Sequence, residues 1–437
     1  MQIKELTVGI YTLGCKVNQY ESEAIAEALE SHGFTVLNHN DKCDIYIINT
    51  CTVTAESDRK ARQFIRRAAA KNPMAFIAVT GCLSETRPED VAKIGEVDFI
   101  CGNSKKLSVV DAILRFSESG KKNDTPEIFK SQLDSAGFEE MSITHFDRTR
   151  AYVKIEDGCE NRCTYCIIPA ARGKVRSKLP EAVIAEVEAL TRGGCREVVL
   201  TGIETASYGR DLKTTDLATL LCRVDKINGI ERVRLGSLDP SLMTDRFVSK
   251  IADLKSLTPH FHLSLQSGSD RILALMKRKY NSRMAFEGME RIRSAMPKAM
   301  FTTDIIVGFP GETEENFEAT VDFVKRARFL SAHIFTYSRR AGTPAAVMKD
   351  QIPEEIKKER SARLIALQNE IRNKILANEV GNEYSVLFET YADGFATGHT
   401  PSFIEVKVKS DKPLSGIVRN VKITCAEDGI CLGEITD

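Results

Sequence analysis

Asp157-Gly158-Cys159-Glu160-Asn161-Arg162-Cys163-Thr164-Tyr165-Cys166 carries three cysteines in a C-x-x-x-C-x-x-C spacing. The preceding Ala151-Tyr152-Val153-Lys154-Ile155 has the make-up of a strand, which puts the cysteines on a glycine-led loop at its end. Three thiolates so placed suit three irons of a [4Fe–4S] cube and leave the fourth iron without a protein ligand. An open iron is a place where a small molecule can bind and react. Zinc binding and chance clustering are the competing readings. Zinc sites favour four ligands in C-x-x-C or C-x-x-H pairs, and no fourth Cys or His lies close by in the chain.

Downstream of this loop, strand and helix alternate. Pro180 to Arg192 reads as a helix, with Pro180 in its first turn, Val183, Ile184, Val187 and Leu190 on one face, and Gly193-Gly194 to stop it. Strands are expected at Glu197–Thr201, Arg232–Leu235, Phe261–Leu265, Thr303–Val307 and His333–Tyr337. With the strand before Cys159 that makes six.

Upstream, the first domain alternates in the same way. Thr7–Tyr11, Asp44–Ile48 and Ala75–Val79 read as strands, and Glu21–Ser31 and Asp58–Ala70 as helices. Such alternation implies a flavodoxin-like parallel sheet with helices on both faces. Cys15, Cys51 and Cys82 each follow one of these strands. Loops after the strands of an open parallel sheet share one edge, so three cysteines far apart in sequence are expected to meet. They suit a second [4Fe–4S] cube with its own open iron, unless they are unrelated loop residues.

The C-terminal part opens with a helix from Pro353 to about Asn378 that carries Leu364, Leu367, Ile371 and Ile375 as a packing stripe. Tyr384–Glu389, Phe403–Val408 and Gly416–Ile423 then read as strands of a small β-barrel of the OB class.

The aromatic Tyr165 ahead of Cys166 completes a resemblance to the radical S-adenosylmethionine (SAM) superfamily. Thr12-Leu13-Gly14-Cys15-Lys16-Val17-Asn18-Gln19-Tyr20-Glu21 and Asn49-Thr50-Cys51-Thr52-Val53-Thr54 resemble the methylthiotransferases within it. Their wording is most similar to the branch acting on N6-threonylcarbamoyladenosine at tRNA position 37. The resemblance covers nearly the whole chain. It implies an auxiliary-cluster domain over 1–117, a linker over 118–144, a partial (β/α)₆ barrel over 145–372 and a TRAM domain over 373–437. It implies two [4Fe–4S] clusters, SAM as cosubstrate, a flavodoxin- or ferredoxin-type electron donor, and conversion of an adenosine C–H into C–S–CH₃. Sister enzymes act on isopentenyl-adenosine in tRNA or on a ribosomal-protein aspartate, and share the six cysteines. A zinc-stabilised, non-catalytic RNA binder is the rival of another class.

By the same resemblance, Glu204 accepts from the SAM ammonium, although Thr-Gly-Ile-Glu stands here in place of Gly-Gly-Glu. Ser264 and Gln266 hold the ribose or carboxylate, and Gly308, with Gly311, lets backbone approach the adenine. Arg172 and Arg176 lie in Ala171-Arg172-Gly173-Lys174-Val175-Arg176-Ser177, similar to an element after the cluster loop in the family. Their guanidinium forks match phosphate or the carboxylate of the threonylcarbamoyl group.

The 437 residues, 42% hydrophobic and 28% charged, are those of a globular protein of two or three domains. No apolar run is long enough to span a bilayer, and the N-terminus does not read as a secretory signal. A cytoplasmic location is expected, where twelve cysteines suit ligation better than disulfides. Net charge is zero, so any hold on nucleic acid must be local. Two runs lack carboxylates: Arg162, Arg172, Lys174, Arg176 and Lys178, and Arg59, Lys60, Arg62, Arg66, Arg67 and Lys71. Either alone is what a solvated face shows. The tail from 382 to 437 has five Lys/Arg and nine Asp/Glu, 5 − 9 = −4, which argues against broad capture of RNA there; a local face around His399, Phe403 and Lys407 is the remaining option.

Overall fold

The computed structural model describes residues 6–129, 132–133, 135–146 and 149–437. The first domain runs β1 (Thr7–Thr12), α1 (Lys16–Ser31), β2 (Thr35–Leu37), β3 (Ile45–Thr50), α2 (Ala55–Lys71), β4 (Phe76–Gly81), α3 (Cys82–Thr86), α4 (Pro88–Ala92), β5 (Phe99–Cys101), α5 (Ser108–Ser119) and β6 (Glu127–Phe129). Its six strands form one parallel sheet in the order β2-β1-β3-β4-β5-β6. β3 and β4 are buried along their whole length, as central strands covered on both faces must be. β6 lies inside the stretch read as a linker, and Met141 and Ile143, from the same stretch, are buried in the core of the next domain. Polar composition concealed these few apolar anchors.

The six central strands are β7 (Ala151–Lys154), β10 (Glu197–Thr201), β11 (Arg232–Leu235), β12 (His260–Gln266), β13 (Met300–Val307) and β14 (Ser331–Thr336). They form two three-stranded parallel sheets, β11-β10-β7 and β12-β13-β14, joined near β11 and β12 by two isolated parallel bridges, Val233 to Leu257 and Leu238 to Leu263. This is the expected partial barrel, open between β14 and β7. A short ribbon, β8 (Glu156–Asp157) against β9 (Arg176–Ser177), brackets the cysteine loop, and α6 (Ile168–Arg172) follows Cys166.

The helix Glu354–Ala377 is continuous through the boundary drawn at 372/373. β15 (Glu383–Ala392), β16 (Phe395–His399), β17 (Glu405–Lys409), β18 (Val418–Glu427) and β19 (Ile430–Ile435) then close into a barrel in the order β15-β16-β17-β19-β18. No helix among the described residues is long and apolar enough to cross a membrane.

This small barrel docks through a buried charge cluster. Glu197 meets Arg150 at 2.9 Å and Arg234 at 3.0 Å. Arg150 also pairs with Glu389, Arg232 donates to the Ser385 carbonyl at 2.9 Å, and Arg234 to that of Pro401 at 3.2 Å. Phe403 is clamped between the rings of His260 and His399, each 4.5 Å away. His399 and Phe403 therefore face the central barrel rather than forming the open face expected for RNA. Burial opposes the Glu197 charge, but Arg234 and Arg150 win and hold its carboxyl at about 2, against 4.5 ordinarily. A depressed carboxylate stabilises the fold above pH 4.5 and loses that contribution as pH falls toward 2. The shift corresponds to about 3 kcal/mol. In urea titrations from pH 7 to pH 3, Glu197→Gln is expected to flatten the acid limb by more than half of that amount.

Candidate functional site: two cysteine triplets at one seam

Cys15 is the N-cap of α1, Cys51 follows β3 directly, and Cys82 opens α3. Sequence separation vanishes because all three lie at the same sheet edge. Gly14 adopts φ +101°, and a Cβ there would stand 2.8 Å from that of Cys51, so only glycine lets these two loops meet. Asn18 fastens them by donating to the Leu13 carbonyl at 2.7 Å and the Thr50 carbonyl at 3.0 Å.

N–H groups point at the thiols of both triplets. Asn103 Nδ2 lies 3.5 Å from Cys82 Sγ, the Val53 amide 3.4 Å from Cys51 Sγ, and Arg278 Nη1 3.2 Å from Cys163 Sγ. Such donors suit thiolates that carry charge to iron. Burial pushes the free thiols up, Cys51 and Cys166 to about 11 and Cys159 to about 12, so metal loading must displace protons. Among the described residues, no three Cys, His, Asp or Glu side chains converge as a single-ion site requires. Within each triplet the thiols lie near enough to raise one another's pKa, Cys82 acting on Cys51 and Cys163 on Cys166; three neighbouring sulfurs with N–H donors at their rim are a donor set compatible with a [4Fe–4S] cluster.

The two triplets share one seam. Asn103, beside Cys82, also donates to the Ala171 carbonyl of α6 at 2.7 Å. Arg172, fully buried, donates to Asn18 and Glu21 of α1 on one side and to Asp157 at 3.1 Å on the other. Asp157 in turn accepts from the Gly158 amide at 2.8 Å, one residue before Cys159. Lys154 bridges Glu21 and Asp157 at 2.7 Å each, and Lys106 pairs with Glu21. Burial alone would raise the Glu21 carboxyl, yet Arg172, Lys106 and Lys154 hold it well below the usual carboxylate range.

These contacts correct the reading of Arg172 and Arg176 as substrate ligands. Arg172 has no exposed surface, and Arg176, also buried, lies 3.5 Å from Asp157. Lys178 is likewise inside, paired with Glu186 at 2.6 Å. Only Arg162 and Lys174 of that basic run are exposed. A linear run cannot show that the first domain covers its second half.

Of the expected SAM ligands, Tyr165 lies within the cysteine loop, and Glu204 and Ser264 connect to it through Asn161 and Arg278. Glu204 accepts from Asn161 at 2.8 Å, and burial, then Asp239, raises its carboxyl to about 7. Tyr165 packs edge-on against Phe309. Ser264 pairs its hydroxyl with that of Ser237 at 2.6 Å. Gln266 holds φ +70° where the β12–β13 register shifts, the kind of local strain that marks a functional turn. For Gly308 the structure supplies another reason for glycine: a Cβ there would sit 2.3 Å from Lys357 Cγ.

The sequence reading missed Arg278, which joins Cys163 to Asp239 (2.9 Å) and to the Ser264 carbonyl (2.9 Å). Its only signal was the run Lys277-Arg278-Lys279, whose flanking lysines are exposed. It also missed the inner wall of the barrel, where His262 meets Asp304 at 3.1 Å and Thr302 at 2.8 Å. In the loop after β14, Arg340 crosses the seam to Thr52 Oγ1 at 2.7 Å and Asp58 at 3.0 Å, while the adjacent Arg339 donates to the Ala346 carbonyl.

Comparison with known proteins agrees with this geometry. Residues 153–324 match the Radical SAM superfamily, and residues 7–102 match the uncharacterized protein family UPF0004. The chain is 39% identical to the threonylcarbamoyladenosine tRNA methylthiotransferase MtaB of Bacillus subtilis (strain 168), covering 95% of this chain and 93% of that protein. It is 38% identical to the MtaB of Aquifex aeolicus (strain VF5), over 95% and 99%. It is also 39% identical to a tRNA-2-methylthio-N(6)-dimethylallyladenosine synthase of Carboxydothermus hydrogenoformans, over 95% and 96%. Among solved structures, the radical SAM methyltransferase TsrM of Kitasatospora setae shares the fold, with TM-score 0.57 at 15% identity over 79% of this chain and 77% of TsrM.

Proposed function

Since the chain belongs to the radical-SAM methylthiotransferases, using SAM and a [4Fe–4S] cluster, we propose that it converts N6-threonylcarbamoyladenosine at position 37 of tRNA to its 2-methylthio derivative. The observation that carries the methylthiotransferase chemistry is the meeting of two cysteine triplets at one seam, beside an open half-barrel; the choice of nucleoside rests on the likeness to the MtaB proteins and on Lys16. Cys159, Cys163 and Cys166 hold the cluster at which SAM binds. Cys15, Cys51 and Cys82 hold a second cluster, which serves the sulfur side of the reaction.

With both clusters and SAM bound, the groups supply methyl transfer to sulfur and the hydrogen-abstracting power needed at C2 of the adenine. The chain's own work is placement. Arg278 fixes Cys163 and, through Asp239 and the Ser264 carbonyl, the rim of the barrel. Glu204, held by Asn161, is the acceptor for the SAM ammonium, with Tyr165, Ser264, Gln266 and Gly308 around it. Lys16, next to Cys15, is exposed at the same edge, and its charge suits the carboxylate of the threonylcarbamoyl group. Electrons come from a flavodoxin- or ferredoxin-type donor, and the protein acts in the cytoplasm.

The equally similar dimethylallyladenosine synthase motivates a second reading, an isopentenyl-type substrate. That substrate has no carboxylate for Lys16 to meet. Nucleoside mass spectrometry of tRNA separates the two. Loss of the gene is expected to leave threonylcarbamoyladenosine without its methylthio group and the isopentenyl nucleosides unchanged; the reverse pattern rejects the proposal.

A further inference from the structure

The second basic run lies on α2, and nothing in the reaction above uses it. Asp58, Arg62 and Arg66 stand at i, i+4 and i+8 and so form one stripe along the helix. The first member is buried at the seam, paired with Arg87 and, at 3.0 Å, with Arg340 from the loop after β14. The stripe therefore starts where the first domain meets the mouth of the half-barrel. One and two turns further on, Arg62 and Arg66 are exposed, and neither guanidinium has a bonded partner among the described residues. Their neighbours are engaged: Arg59 and Lys60 share the exposed Glu56, and Arg67 and Lys71 reach Asn40.

β14, the strand leading to Arg340, is an edge strand facing the open side of the barrel. It exposes Phe335, a large ring with half its surface in solvent, two residues from the exposed His333. Such an aromatic is a platform for an unpaired base. The C-terminal barrel, with a net charge of −4 and with Phe403 and His399 used in docking, offers no broad basic face that would make α2 redundant.

We infer that Arg62 and Arg66 of α2, with Phe335 of β14, form the docking surface for the single-stranded anticodon-loop backbone on either side of the modified nucleoside. About 6 Å of helix rise separates the two guanidinium positions, enough for them to meet successive phosphates of an extended strand. The inference rests on the tRNA reading and extends it from the reacting nucleoside to the grip on its flanks.

The test uses the full-length, cluster-loaded protein and a fluorescent anticodon stem-loop bearing threonylcarbamoyladenosine, with anisotropy read from 50 to 300 mM salt. Arg62→Gln/Arg66→Gln is expected to raise Kd at least about ten-fold at 100 mM salt. It should also flatten the slope of log K against log salt by about 1.4, or about 0.7 for each single-strand phosphate left without its arginine. Arg62→Lys/Arg66→Lys should keep most of the slope, and Phe335→Ala should weaken binding about ten-fold while leaving the slope unchanged. Iron content of each variant reports folding. A double-glutamine variant with wild-type Kd and slope overturns the inference, even when the wild type binds and methylthiolates the RNA. A wild type that neither binds nor modifies it overturns the functional reading, and the inference with it.

Discussion

Arg172→Met is expected to destabilise the protein by about 3–5 kcal/mol and to deplete iron at both cysteine triplets. Arg172 is the link from Asn18 and Glu21, beside Cys15, to Asp157, beside Cys159. Methionine fills a similar volume but leaves Asp157 and one side of Glu21 buried with fewer cations, and stranded buried charge is among the costliest defects a fold can carry. Arg172→Lys restores charge without the fork that spans three partners, so partial recovery is expected. Urea unfolding of anaerobically purified protein, with iron counted in the same preparations, measures both effects. A loss under about 1 kcal/mol with full iron would show that the buried network does not couple the two sites.

Arg172 also shows what the sequence could not tell. In the linear chain it belongs with Arg162 to one basic run, yet Arg162 is exposed and Arg172 lies at the centre of the molecule. The two differ only in whether α1, more than a hundred residues earlier in the chain, covers them. No local pattern carries that information. The C-x-x-x-C-x-x-C motif was legible for the opposite reason: its residue type and spacing are written within a few positions of the chain. Even the distant triplet could be read, because loops after parallel strands must share an edge. Phe403 and His399 repeat the Arg172 case on a smaller scale. An aromatic and a histidine on a half-polar strand suggest RNA, and only the docked barrel reveals that Phe403 is stacked between His399 and His260, with the Arg234 guanidinium over its ring. The short strand Glu127–Phe129 was lost inside a polar stretch, since three residues cannot establish a period.

The largest expected effect on chemistry is the separation of two activities by the two triplets. Cys15→Ala/Cys51→Ala/Cys82→Ala is expected to lower formation of the methylthio product by at least about a thousand-fold, over about 4 kcal/mol in barrier. Reductive cleavage of SAM, read as 5′-deoxyadenosine, should persist. Cys159→Ala/Cys163→Ala/Cys166→Ala should abolish both, since this is the triplet beside Glu204, the acceptor proposed for the SAM ammonium, which Asn161 of the cysteine loop holds. Product formation by the first variant at a tenth of the wild-type rate or more would mean that Cys15, Cys51 and Cys82 are bystanders.

Whether one chain holds two separate open-cornered clusters is decided most directly by counting iron and acid-labile sulfide per chain. About eight of each are expected in the wild-type protein and about four in either triple-alanine variant. A wild-type value of about four, unchanged when Cys15, Cys51 and Cys82 are removed, would contradict the two-cluster site.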